Sequence, residues 1–318
     1  MKDRAKQLSL KNFLNNYLII IGIAALTIYT CIVQPSFYSP TNLLALIRQY
    51  VPLGMVALGM TLIIISGYID MSVAGIFSFM GILSAMLLNR FTPLALLLVL
   101  LLGIVCGGLD ALIIVKCGAK NASDALFITY GLQVIFSSLA LIVNKGNYVS
   151  LDQTVFTKYM GSGNLFGIPF MFICFMLVTA LLQFIMKRMP IGRSVHLTGG
   201  NRVAAILCGI HTKKIIVFVF ILTGVLTAFG SFISVCRIGS ALPIAGRNYE
   251  ANAIMAVTVG GTSLSGGKGS VLHTVFGVAL ITIMQNALNI LGVSTNMQFV
   301  WRGLILIAAI WIDSRRKV

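Results

Sequence analysis

Apolar runs of about twenty residues recur along almost the whole chain, divided by short polar segments. Ten can be marked: 17–34, 51–66, 69–88, 93–115, 124–143, 165–186, 215–236, 251–265, 270–292 and 298–312. A helix crossing the hydrocarbon core of a bilayer needs ~20 mostly apolar residues. In lipid only helices and closed barrels satisfy every backbone hydrogen bond, and unbroken runs of this length fit helices. The pattern predicts an all-α, polytopic transmembrane helical bundle of about ten spans. The eighth run, 251–265, is the exception. It offers only ~22 Å of helix, too little to cross alone, and is expected to be broken or re-entrant. The boundary between the second and third runs is soft, because Ser66-Gly67-Tyr68 and Asp70 interrupt it.

Composition agrees. Charged residues make up 9% of the 318, against ~25% in a soluble domain. That is too little charge to coat a water-facing surface, so membrane lipid must cover much of the outside. The net charge of +16 raises the question of nucleic acid. The basic residues lie between apolar runs, with no basic stripe and no aromatic platform, so nucleic acid is not an expected partner. The six cysteines form no Cys-x-x-Cys pair and mostly sit inside apolar runs. They read as small structural hydrophobes, with no metal site and no disulfide framework.

The first 16 residues carry four Lys/Arg and lead into the apolar run Tyr17–Val33. A cleaved signal peptide would need a small-residue site after that run. Thr30-Cys31-Ile32-Val33-Gln34-Pro35 does not offer one, so the run is expected to be an uncleaved first span. Loop charge sets orientation. With residues 1–16 placed in the cytoplasm and spans alternating, 16 of the 23 Lys/Arg fall on the cytoplasmic side. Both termini then come out cytoplasmic, as any even number of spans requires. Most loops are short, so 1–318 reads as a single membrane domain. No Gly-x-x-x-x-Gly-Lys-Ser/Thr occurs, so ATP, if it supplies the energy, must be bound by another chain. No cofactor and no catalytic residues are expected.

The longest segment on the basic side is 187–214. Asn201 is suited to cap a helix whose first turn is Arg202 to Ala205, and Gly209 to end it. Two readings stand: a docking helix for a cytoplasmic partner, or an ordinary basic loop anchored at lipid headgroups.

The spacing of Gly192-Arg193, Gly199-Gly200-Asn201, Ala204-Ala205 and Gly209-Ile210 resembles the coupling loop of the ribose- and galactose-type sugar ABC transporter permeases. Three further stretches carry the same resemblance. They are Ala57 to Thr61 running on to Ile69-Asp70-Met71-Ser72-Val73, then Tyr249-Glu250 followed by Gly260 to Ser270, and then Gln285 to Val293. The resemblance extends from about residue 45 to 313. It implies two permeases forming a pore in the bacterial inner membrane, the second an identical or a related chain. It also implies two ATP-binding subunits or domains beneath them and a periplasmic protein delivering a monosaccharide. Carried over, Gly192, Arg193, Gly200, Asn201, Ala204, Ala205 and Gly209 would face the ATP-binding subunit. The sequence departs from the family pattern in places. Family members usually continue Tyr-Glu with Leu-Asp-Ala-Ile-Ala-Ala, where this chain has Ala251-Asn252-Ala253-Ile254-Met255-Ala256.

Ionisable groups within apolar sequence are costly and commonly functional. Asp70 reads either as a pathway carboxylate or as a charge at the third span's N-terminus, where the helix dipole favours it. Asp110 is expected to pair with a basic residue. Glu250 is expected in an outer loop with Arg247, and His273 as a packing residue. For sugar recognition the candidates are Thr129, Tyr130, Gln133, Gln285, Asn286 and Asn289. Each is equally suited to hydrogen bonding between helices. The glycine-rich stretch Gly260 to Gly269 fits neither nucleotide fingerprint and is expected to be a tight turn after a broken helix. A secondary transporter would want acidic groups deep in its spans, and a membrane enzyme a cluster of His, Asp, Glu or Cys at one level. Neither is supplied, and a passive translocation subunit driven by a partner ATPase remains the leading reading.

Overall fold

The computed structural model describes residues 21, 23–92, 94–119 and 121–315. The segment 1–16, the start of the first apolar run and Lys120 lie outside the described residues. The helices are α1 (Ile23–Val33), α2 (Pro40–Ile65), α3 (Val73–Phe91), α4 (Ala95–Lys116) and α5 (Ala122–Val143). They continue with α6 (Val155–Ser162), α7 (Phe170–Arg188), α8 (Pro190–Gly200) and α9 (Arg202–Leu207). The last four are α10 (Thr212–Ile238), α11 (Tyr249–Val259), α12 (Val271–Ile290) and α13 (Thr295–Arg315). Two two-stranded ribbons complete the described residues: β1 (Val149–Ser150) with β4 (Ser240–Ala241), and β2 (Asn164–Leu165) with β3 (Ile168–Pro169). The architecture is an all-α membrane bundle.

Seven described helices are long and apolar enough to cross a bilayer: α2, α3, α4, α5, α7, α10 and α12. The expected ten is not reached among the described residues. The run 251–265 is not a span: α11 holds 11 residues and gives way to a glycine turn, with Gly261, Gly266 and Gly267 at positive φ. The second run also starts earlier than its apolar stretch suggests. Ser39 accepts the Asn42 N–H at 3.2 Å and Pro40 occupies the first helical turn, so α2 begins eleven residues before Val51. Asn42, Arg48 and Gln49 hide that extension from a hydropathy reading.

The core forms around α2 and α10. Every residue from Tyr50 to Ile65 is buried, so the second half of α2 is surrounded by protein. Helix α10 grips α4 on one side and α2 on the other through small residues. A Cβ on Gly224 would stand 2.5 Å from the Gly103 oxygen and 2.8 Å from the Gly107 nitrogen. On the other side, a Cβ on Gly59 would lie 3.1 Å from Thr223 Cα. The Gly103-x-x-x-Gly107 spacing permits this backbone approach, which dispersion and packing reward in place of the hydrophobic effect.

The bundle has two unlike ends. One carries α8 and α9 with the close of α2, the α4–α5 connection and the glycine turn. The other carries the β1–β4 ribbon, with Val149 opposite Ala241, tied to the end of α3. There Asn89 donates to the Ser150 carbonyl at 2.8 Å and accepts from the Asp152 N–H at 2.9 Å. Between α2 and α3 the chain climbs back into the bundle. Gly67 touches Gly199 at the α8 end, while the Met71 N–H donates to Thr129 Oγ1 at 2.9 Å. Thr129 lies ~10 Å along α5 from its start, so α3 begins well inside that end.

Candidate functional site

The α8–α9 pair folds back beneath α7 because local sequence forces it to. Pro190 opens α8, and a Cβ on Gly192 would collide with the Met186 carbonyl of α7, so glycine lets the two helices meet closely. The Asn201 side chain accepts the Ala204 N–H at 3.0 Å and caps α9. Gly209 stops it at φ +80°, with the Ile210 N–H donating to the Ala205 carbonyl at 3.0 Å.

Arg193, Gly200, Asn201, Ala204 and Gly209 are exposed on this pair. Two of the seven residues expected on that surface point inward instead. Gly192 packs under α7 and Ala205 is 2% exposed, because each lies on the side of its helix that leans against the bundle. The outward face of α9 is apolar: Val203, Ile206 and Leu207 are exposed, Leu207 by 83%. A tip of this kind on a basic end is suited to another protein surface. Reading by motif did not single out these three, although their spacing on a capped six-residue helix was visible.

Behind the pair lies a junction made of backbone. A Cβ on Gly199 would collide with the Ile65 carbonyl at the end of α2. A Cβ on Gly266 would lie 2.8 Å from Gly67 Cα, and one on Gly267 2.7 Å from Gly200 Cα. The Gly267 N–H donates to the Ile65 carbonyl at 2.8 Å, and His196 Nδ1 lies 2.9 Å from the Gly267 carbonyl. Three segments far apart in sequence, the α8 end, the α2–α3 connection and the glycine turn, therefore touch main chain to main chain. On the other flank Arg202 donates to Tyr68 Oη at 2.7 Å and to the Ala119 carbonyl at 3.0 Å. Burial pushes the Tyr68 phenol above its ordinary range, while the adjacent Arg202 pulls the other way. Tyr68 in turn donates to the Ala119 carbonyl at 3.1 Å.

Asp70 and Asp110 meet. Asp70 Oδ1 accepts the Ser72 N–H at 2.8 Å and the Ser72 hydroxyl at 2.6 Å, and Ser72 Oγ lies 2.7 Å from Asp110 Oδ2. Asp70 and Asp110 are 1% exposed and Ser72 is fully buried. The expected basic partner of Asp110 is replaced by this arrangement. Asp70 sits just ahead of the α3 N-terminus, where a carboxylate faces the helix dipole. Glu250, expected in an outer loop, is instead in the first turn of α11 and 8% exposed.

The remaining pathway candidates do not converge on one cavity. Thr129 accepts from Met71 and donates to the Ala125 carbonyl at 2.8 Å. Tyr130 is 53% exposed on the outer face of α5. Asn286 pairs reciprocally with Asn42 across α12 and α2, at 3.0 and 3.1 Å. Asn289 accepts from Gln298 at 2.8 Å. Gln133 Oε1 and Gln285 Nε2 are buried with no hydrogen-bond partner among the described residues. The polar cavity on the far side is lined by other residues: Arg247, Asn248, Asn252, Asn296, Phe299 and Arg302 among them, around about 550 Å³.

A polytopic bundle with broken intramembrane segments seated on an exposed helix pair belongs to the class of membrane transport proteins. The family comparison makes this specific. The model described as "Branched-chain amino acid transport system / permease component" matches residues 42–310, and the chain belongs to that family. It is similar to "Ribose import permease protein RbsC" of Haemophilus influenzae, 33% identical over 99% of this chain and 98% of the relative. The Bacillus subtilis protein of the same name is 36% identical over 93% of this chain and 92% of its own length. "L-arabinose transport system permease protein AraH" of Escherichia coli is 31% identical over 95% and 92%. No solved structure matches this chain.

Proposed function

We propose that this chain is the membrane-spanning permease subunit of an ATP-binding cassette importer that carries a monosaccharide across the bacterial inner membrane. Relatives named for ribose, allose and arabinose transport, matched over most of their length, support the cargo class. Both termini and the α8–α9 pair lie in the cytoplasm on this reading, in line with the Lys/Arg bias. Arg193, Gly200, Asn201, Ala204 and Gly209, with the α9 tip, meet an ATP-binding subunit there. Gly192 and Ala205 hold the pair in place. A periplasmic sugar-binding protein and a second permease, identical or related, complete the assembly. Asp70, Thr129, Gln133, Gln285, Asn286 and Asn289 brace the elements that move, and Tyr130 faces outward.

The single observation that carries the reading is the backbone junction of Gly199 and Gly200 with Gly67, Gly266 and Gly267. Motion imposed on α8 from below has little slack there before it reaches the α2–α3 connection and α11. The first is irregular backbone inside the bundle and the second a short helix that gives way to the glycine turn, and irregular backbone at membrane depth is tolerated where it lines a cavity or lies within protein. ATP hydrolysis takes place in the partner on this reading, and this chain supplies the path.

The test is reconstitution with the ATP-binding partner and the binding protein in liposomes. ATP-dependent uptake of a labelled monosaccharide is the expected result, and Ala204→Glu should uncouple or dissociate the complex. Uptake by this chain alone under a proton gradient would overturn the assignment.

A further inference from the structure

The cavity between α11 and α13 lies at the end opposite the α8–α9 pair, and its place follows from chain direction. Helix α12 starts beside the glycine turn and runs 20 residues, ~30 Å, away from it, so α13 begins at the far end. Asn296 lies in the first turn of α13 and Arg302 ~9 Å deeper. Across from them, Arg247 and Asn248 precede α11, and Asn252 lies within it. The cavity thus runs inward from the face where an imported solute arrives, and α11 links its wall to the glycine junction.

Its polar lining is unfinished. Asn252 is 8% exposed, and its Oδ1 is buried without a hydrogen-bond partner among the described residues. Arg302 Nε is likewise buried and unpartnered, with its guanidinium 5.3 Å from the centre of the Phe299 ring. Both residues line the cavity, and a buried donor and a buried acceptor without partners lose their hydration without return. A hydroxyl both gives and takes a hydrogen bond, so one chemical group answers both. A carboxylate or phosphate group by itself only accepts and would leave Asn252 Oδ1 unanswered, so the lining calls for hydroxyls on the solute. The volume of about 550 Å³ falls within the range of small-molecule sites.

We infer that this cavity is a transit site for a polyhydroxylated solute, with Asn252 accepting from one hydroxyl and Arg302 donating to another. The site rests on the permease reading and adds where the cargo pauses and how it is held. Affinity is weak by design, because a transit site that binds tightly does not release.

Two measurements test it. Saturation-transfer NMR on the permease alone in nanodiscs, with D-ribose and separately propionate, an anion without hydroxyls, should show transfer to ribose and much less to propionate. Asn252→Ala and Arg302→Met should each weaken the ribose signal ~5- to 10-fold, while Asn252→Asp, which keeps an acceptor, restores most of it. Unfolding temperatures close to wild type show that the variants fold. In proteoliposomes holding the whole importer, the same two variants should raise the KM for uptake more than they lower kcat. Wild-type uptake with no ribose signal, or with variants indistinguishable from wild type, would overturn the site and leave the permease reading standing. A preference for propionate would overturn the assignment to hydroxyls. Absence of both ATP-driven uptake and binding would overturn the two together.

Discussion

His196 Nδ1 stands 2.9 Å from the carbonyl oxygen of Gly267. A carbonyl only accepts, so Nδ1 carries the proton and donates. This is the side-chain hydrogen bond from α8 to the glycine turn, and it adds direction to a junction otherwise built of backbone contact. His196→Ala should lower sugar uptake per ATP hydrolysed several-fold while costing only about 0.5–1.5 kcal/mol of stability. The ratio of transport to hydrolysis in proteoliposomes is the measurement. An unchanged ratio would show that the bond holds the turn without transmitting anything.

Adjacent glycines should respond in opposite ways. A Cβ at Gly199 runs into the Ile65 carbonyl, and main chain cannot step aside as a flexible side chain does. Gly199→Ala should therefore cost roughly 1–3 kcal/mol or more and reduce the yield of folded permease. At Gly200 the nearest atom, Gly267 Cα, is 3.9 Å away, an ordinary contact. Gly200→Ala should leave the unfolding temperature nearly unchanged. Equal effects at the two positions would contradict the close approach described for Gly199.

Helix α9 was legible in the sequence because its signals are local: Asn201 and Gly209 each act on a turn they themselves belong to. The apolar runs were legible for the same reason, and the shortness of 251–265 already marked α11 as broken. Helix α8, opened by Pro190, was not read as a helix. What could not be read was which distant segments would meet. Nothing local in Gly67, Gly199 or Gly267 says that they share a junction, and glycine spacing alone does not choose a partner. The polar start of α2 was also hidden, since the half-buried Asn42, Arg48 and Gln49 interrupt hydropathy although they continue into the helix whose residues 50–65 are buried. Asn252 lay inside a stretch already noted as departing from the family pattern, but that it lines a cavity with Arg302 emerges only in the fold.

One hydroxyl proton serves two acids at Ser72. Its Oγ is 2.6 Å from Asp70 Oδ1 and 2.7 Å from Asp110 Oδ2, and it can donate to only one of them. The other short contact then requires a carboxyl O–H donating back to Ser72. A neutral side chain of the same size should therefore be accepted at Asp110. Asp110→Asn should stay within about 1 kcal/mol of wild type, while Ser72→Ala strands buried acids and should cost about 1–3 kcal/mol. Thermal unfolding in detergent compares them, and a severe loss with Asp110→Asn would mean that the pair needs its charge.

Arg202 ties α9 to the rest of the basic end. It donates to Tyr68 Oη and to the Ala119 carbonyl, and so joins the α8–α9 pair to both the α2–α3 and α4–α5 connections. Arg202→Ala should lower the unfolding temperature and reduce uptake. Arg202→Lys should recover only part of the loss: both bonds leave one nitrogen, Nη1, which an ammonium can imitate, but the lysine stem is one bond shorter and reaches less far. Full recovery by lysine would reduce the contact to charge alone.

The apolar tip of α9 makes the sharpest claim about a partner. Leu207 is 83% exposed, on a helix bounded by the Asn201 cap and the Gly209 stop, and so is little covered by the described residues. An exposed leucine is an anchor suited to a pocket on another protein, and burying it there is favourable by roughly 1.5–3 kcal/mol. Leu207→Glu replaces that gain with the cost of burying a charge. The variant should insert and fold as wild type does, since no described contact within the chain is lost. Its affinity for the ATP-binding subunit should fall at least ~10-fold, and the two should separate on gel filtration. A complex that survives the substitution, with uptake intact, would mean that the partner sits elsewhere on the basic end, and the exposed tip would then belong to the lipid headgroups.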